Sequence, residues 1–191
     1  MSGWWAASYV ILWALVILLG VIVVALARQI GTLHLRLGPR GALEIDDEGP
    51  PLGEAPPPLE LDDLEGRPVT LGGPGDPQLI LFVSPGCHVC EQVLPSLPTV
   101  ARSAGMEPRV VTDVDEIETR RLFAHKKIVA SVVPGPEVGP AYGVPGTPYL
   151  VVLDRMGVAR AKGTVNNLEQ MEGLIDTAVK RLQQLPDMEA V

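Results

Sequence analysis

Gln78–Cys90 reads QLILFVSPGCHVC, and this stretch decides the fold. Its apolar run, Leu79–Val83, predicts a buried strand closed by the breakers Ser84, Pro85 and Gly86. Cys87 and Cys90 follow, three apart, where the next apolar-periodic segment predicts the start of a helix. They are the only cysteines among 191 residues. Random placement of two cysteines would give this spacing about one time in a hundred, so the placement carries information. A helix start supplies unpaired N–H groups and the positive end of the dipole, which favour a thiolate over a thiol. The layout is that of a dithiol redox site.

Working outward, two cysteines are too few for the disulfide framework of a small secreted domain. A net charge of −8 and a pI near 4.8 argue against a nucleic-acid-binding face. The 19 prolines and 20 glycines concentrate in connecting segments and punctuate the chain. The mean hydropathy of +0.24 is high, and the N-terminus explains it. Following a short N-terminus (residues 1–3), Trp4–Ala27 carries no charge and predicts a transmembrane helix roughly 36 Å long, enough to cross a hydrocarbon core of about 30 Å. Trp4, Trp5 and Tyr9 stand at one end, where an interfacial aromatic belt belongs. The alternative, a cleaved signal peptide, calls for a basic n-region and a shorter apolar core. No Lys or Arg precedes Arg28. A retained, single-pass anchor contacting lipid through residues 4–27 is expected.

Residues 28–58 comprise a basic juxtamembrane segment, Gly31–Ala42, and an acidic, Pro-rich stretch, Asp46–Pro58, expected to be a semi-rigid spacer that buries nothing. A folded domain is expected over 59–185, with a tail at 186–191. Within it a turn at Glu65–Gly66 predicts a hairpin-like lead-in. A helix is expected from Cys87 to about Ala104, a strand at Arg109–Thr112 and a helix over Val114–Lys127. Tyr149–Leu153 predicts a second apolar strand, returning through the Asp154–Gly157 turn as Val158–Gly163. Asn166 or Asn167 caps a last helix with Leu168, Met171, Ile175 and Val179 on one face. The order is mixed α/β, with parallel crossovers first and a hairpin plus helix last.

These features resemble a thioredoxin-like fold, with a mixed central sheet flanked by helices, and the membrane-anchored TlpA-like disulfide oxidoreductases in particular. The resemblance spans residues 59–185. It rests on the strand leading into Cys87-x-x-Cys90, Pro95 five residues after the second cysteine, Gly146-Thr147-Pro148 before the second central strand, and the strand–turn–strand–helix ending. RQIGTLHLRLGPRGAL (Arg28–Leu43) and GTPYLVVLDRMGVARAKGTVNNLE further resemble the methylamine dehydrogenase accessory protein MauD family. That family is associated with maturation of the disulfide-rich small subunit of a quinoprotein amine dehydrogenase. Its members usually carry proline after the first cysteine, whereas this chain has His88. The resemblance implies a thiol–disulfide oxidoreductase that reduces or isomerises disulfides in exported proteins. It also implies a cis peptide at Pro148 that exposes the Thr147 backbone to an extended client.

At the site itself, Cys87 is expected to attack and Cys90 to resolve, the redox-active disulfide Cys87–Cys90 serving without a further cofactor. Three other readings of the pair and its neighbours fit the residues less well. A structural bridge would close too small a loop to add much stability. A zinc site would need His34, His88 or His125, none at a paired spacing. A peroxidase-like cysteine loop would need a proline upstream, and Ile80 stands there. His88 is the candidate for redox tuning, since an imidazolium would stabilise the Cys87 thiolate; a solvent-facing side chain with little effect is the alternative. Leu81 occupies the position where many thioredoxins bury an acid, which leaves the deprotonation route for Cys90 unassigned. Thr147 and Pro148 are the candidate substrate-binding residues. His125–Lys127 is either a partner patch or the cationic last turn of a helix. Partners are expected to be exported clients with disulfides and an electron donor or acceptor of unknown identity, with no nucleic acid. A copper chaperone, with His125 as third ligand, or a non-catalytic assembly scaffold are the competing functions. Arg28, Arg36 and Arg40 place the domain in the cytoplasm by charge, whereas the redox chemistry and the resemblance place it outside the cytoplasmic membrane.

Overall fold

The computed structural model describes residues 3–36 and 47–188, in two units, Met1–Pro39 and Arg40–Val191. The first unit is one helix, α1 (Gly3–Arg36). Its Gly3–Val24 part, 22 residues of uncharged and mostly aliphatic or aromatic character, is long and apolar enough to cross a membrane. It overlaps the expected 4–27 span. The juxtamembrane piece from residue 37 onward, Arg40 included, and the tail from 189 lie outside the described residues.

The second unit is built on a five-stranded sheet in the order β5-β4-β3-β6-β7. Its strands are β3 (Gln78–Val83), β4 (Glu107–Thr112), β5 (Ser131–Pro134), β6 (Tyr149–Leu153) and β7 (Ala159–Thr164). Strand β3 pairs in parallel with β4 and antiparallel with β6, while β4–β5 is parallel and β6–β7 antiparallel. Every residue of β3 is buried, as its continuous apolar run predicts for a strand covered on both faces. Strand alternation sorts its side chains. Leu79, Leu81 and Val83 pack among α2 (His88–Val93), α3 (Leu97–Ala104) and α6 (Leu168–Met188). Ile80 and Phe82 face the opposite core, closed by α5 (Val138–Ala141) and the antiparallel hairpin β1 (Leu59–Asp62)–β2 (Pro68–Leu71). A further helix, α4 (Glu116–Phe123), is capped by Asp115, whose carboxylate accepts from Glu118 N–H at 2.9 Å.

Four sequence expectations are corrected. The helix after Cys87 is not continuous: a 3₁₀ turn at Leu94–Ser96 separates α2 from α3, because Pro95 and Pro98 cannot donate N–H groups to an α-helical ladder. Helix α4 ends at Phe123, so His125–Lys127 is not its last turn. The buried face of α6 is Met171, Leu174, Ile175 and Ala178, while Leu168 and Val179 are exposed. Its cap is Asn167, whose side chain accepts from Gln170 N–H at 2.9 Å, with Gln170 reaching back to Asn166 N–H at 2.7 Å. Finally, the described part of the acidic Pro-rich stretch docks on the domain. Gly49 N–H donates to Gly143 O (2.8 Å), Gly53 N–H to Ala159 O (2.9 Å), and Tyr149 Oη donates to Glu48 O (3.0 Å). Its backbone supplies the bonds that its polar side chains would not. Gly49 has φ +73°, and a Cβ there would meet Tyr149 Oη at 2.5 Å, so the docking needs glycine twice over.

Candidate redox site

Strand β3 delivers the chain to the site through one tight turn. Cys87 N–H donates to Ser84 O at 3.3 Å across Pro85 and Gly86, and Gly86 takes φ +73°. Proline second and a left-handed glycine third are what a type II turn requires. Cys87 then caps α2, with backbone φ −77°, ψ 97°, and its Sγ accepts from Cys90 N–H at 3.1 Å. The two sulfurs form a disulfide with the Cα atoms 5.2 Å apart. Cys90 is only 4% exposed, packed with Val93, Leu94 and Leu97. Cys87 is half-buried at the edge of that cluster. One sulfur-bearing residue is therefore reachable from solvent and the other lies within the core.

Thr147 and Pro148 are joined by a cis peptide immediately before β6. Ser84 connects this loop to the cysteine turn: its carbonyl receives Cys87 N–H, and its Oγ lies 2.7 Å from Thr147 Oγ1 and donates to Asp113 Oδ2 at 2.6 Å. Asp113 follows β4, so one serine ties together the outlets of β3 and β4 and the inlet of β6. The cysteines and the Thr147–Pro148 pair thus share a network.

His88 is exposed and its Nε2 lies 3.1 Å from Gln92 Nε2, one helical turn on. Next to Cys90, Glu91 bonds Lys126 Nζ at 2.9 Å. The Lys126 ammonium holds the Glu91 carboxyl below the ordinary carboxylate range, and the nearby His88 adds to the effect. Leu81, at the position of the missing acid, is fully buried. His125 is exposed, and among the described residues no three His, Cys, Asp or Glu side chains gather as metal ligands. Sequence reading missed Asp113, took Ser84 as a breaker or part of a peroxidase-like loop and Lys126 as part of a basic patch, and found none of their bonds. The partners of Ser84, Asp113 and Thr147, lie 29 and 63 residues away, and Glu91–Lys126 spans 35, distances over which no local pattern speaks.

Parallel crossovers onto a central strand, an antiparallel hairpin beyond it and a cysteine pair where that strand meets its helix define the thioredoxin-like class. The solution structure of a thiol:disulfide interchange protein from Bacteroides shares this architecture, with a TM-score of 0.53 over 69% of this chain and 90% of that one at 22% identity. StoA of Bacillus subtilis does so with a TM-score of 0.53, at 16% identity over 64% and 97% of the two chains. The particular family follows from sequence. The chain is 37% identical over 191 residues to methylamine utilization protein MauD of Paracoccus denitrificans, covering 96% of this chain and 95% of that protein. It belongs to the MauD family. No protein-family model matches it.

Proposed function

We propose that this protein is a membrane-anchored thiol–disulfide oxidoreductase acting on exported proteins. The observation that carries the reading is the unequal burial of Cys87 and Cys90 at a helix start in a MauD-family chain. In the reduced form, the Cys87 thiolate attacks one sulfur of a client disulfide. The client S–S bond breaks, a Cys87–client bond forms, and the leaving client sulfur takes the electron pair and then a proton. Cys90, losing its proton to solvent, attacks Cys87 Sγ and expels the second client thiol. The client gains two electrons and two protons, the enzyme ends as the Cys87–Cys90 disulfide, and a dithiol donor must reduce it before the next cycle. Isomerisation uses the first step and its reversal, with no net electron flow. Cys90 N–H, pointed at Cys87 Sγ, favours the thiolate. Thr147 and Pro148 form the client-binding edge, and His88 tunes the thiolate. The client we assign is the disulfide-rich small subunit of methylamine dehydrogenase, on the basis of family membership. Helix α1 is the anchor, and the redox unit lies outside the cytoplasmic membrane.

Trapping tests the assignment. Cys90→Ala should accumulate mixed disulfides with clients, because the resolving attack is lost, and Cys87→Ala should not. Equal trapping by the two variants would defeat it.

A further inference from the structure

Beside Thr147, beyond the C-terminal ends of β3 and β4, lies a cavity of about 290 Å³ whose wall includes Ser84, Asp113, Gly139, Pro140, Gly146 and Thr147. This lies at the lower end of ligand-pocket volumes and suits one inserted side chain. Its polar side has a fixed hydrogen-bond direction. Ser84 Oγ gives its only proton to Asp113 Oδ2, so the Thr147 hydroxyl donates to Ser84. The chain of donors ends on the exposed Asp113 carboxylate, which forms no ion pair with a cation among the described residues. Of the three glycines in the wall, Gly135 is needed by the packing, since a Cβ there would meet Val138 Cγ2 at 2.6 Å, whereas Gly139 and Gly146 stand where the fold does not require glycine. Neither Gly139 nor Gly146 has a positive φ, and a Cβ at either would meet nothing within 4 Å.

We propose that this cavity is a client subsite that takes an arginine or lysine side chain adjacent to the client cysteine and pairs it with Asp113. The assignment rests on the oxidoreductase reading and adds a specificity to it. Successive side chains of an extended segment point to opposite sides. A client strand laid along Thr147 with its cysteine at Cys87 therefore turns a neighbouring side chain toward the cavity mouth. A cation there supplies the countercharge that Asp113 lacks, and arginine can also bond the carboxylate with its planar fork. The glycines leave room for the long stem.

The test uses the full-length protein, reduced, in detergent micelles. Three disulfide-bearing peptides differ only in the residue next to the cysteine: arginine, glutamine or glutamate. Second-order exchange rates are compared within each protein, so any general loss of reactivity cancels. Wild type should favour the arginine peptide over the glutamate peptide about tenfold. Because the net charge of −8 attracts any cation, the decisive readout is Asp113→Asn, in which the ratio should fall to about two or less. Gly139→Leu, which narrows the cavity and leaves Asp113 in place, should reduce the same ratio and guards against a folding defect in the first variant. Equal rates on all three peptides, or an arginine preference that survives both substitutions, would overturn the subsite. Absence of exchange with every peptide and with hydroxyethyl disulfide would instead overturn the oxidoreductase reading, and this subsite with it.

Discussion

Asp63 has a side chain only 1% exposed and yet lies in an ion pair with Arg67. Burial by itself would raise its carboxyl, but hydrogen bonds from the Arg67 N–H and guanidinium and from Glu65 N–H outweigh it and hold the group below its ordinary value of 3.8. These contacts shape the β1–β2 turn, which packs Leu64 toward the core beneath the redox site. A depressed carboxyl means that the unfolded chain binds more protons in acid. Its stabilisation is therefore complete above about pH 4 and is lost as pH falls through the lower folded value. Asp63→Asn should cost about 1–2 kcal/mol at pH 7, discounted for the exposed Arg67, and the gap from wild type should close toward pH 3. Thermal melts at the two pH values check this; a gap independent of pH would contradict it. Lys126 offers a second residue-scale prediction. Removing its ammonium leaves the Glu91 carboxylate unpaired beside Cys90. Lys126→Met should then raise the Cys87 thiol pKa by roughly a few tenths of a unit, read from the pH dependence of alkylation of the reduced protein. An unchanged value would show that the pair does not act on the thiolate, and a fall would reverse the predicted sign.

Among the elements, β3, β6 and β7 were legible because their signals are long and local: a continuous apolar run for a strand covered twice, and a tight turn joining an antiparallel pair. Strand β5 and helix α5 went unread. Each is four residues long and contains a proline, Pro134 or Pro140, so each owes its form to what it packs against. Val132 and Val133 become a strand because β4 offers a free edge, and Val138 is fixed by the second core. The same limit governs the site. The cysteine spacing was plain, and Pro148 was legible through family resemblance, whereas Asp113 and Lys126 needed the fold to bring them in. The break between α2 and α3 has an energetic counterpart. Leu97, fully buried directly after the 3₁₀ turn, anchors α3 against the sheet. Leu97→Ala should destabilise the domain by about 2–5 kcal/mol in denaturant unfolding, the cost of a core cavity. A loss below about 1 kcal/mol would mean that the segment rearranges to fill the space.

For the whole molecule, two physical signals point in opposite directions, and experiment can decide between them. Helix α1 is apolar enough over Gly3–Val24 to cross a membrane, and the sequence that follows carries Arg28, Arg36 and Arg40. Positive charge beside a span favours the cytoplasmic side, which would keep the redox unit inside. There a Cys87–Cys90 disulfide would meet a reducing pool and remain a dithiol. An exchange cycle on exported clients demands the other side. The lack of any further cysteine also fits an oxidising compartment, where a third thiol would invite scrambling. The expected outcome is that, in intact cells briefly reduced and with any outer layer made permeable, a membrane-impermeant maleimide modifies Cys87. The same treatment of Cys87→Ala should give much weaker labelling, because Cys90 is buried. Modification that appears only after the cytoplasmic membrane is broken would place the unit inside. The arginines would then have set the topology, and the client would have to be sought among cytoplasmic proteins.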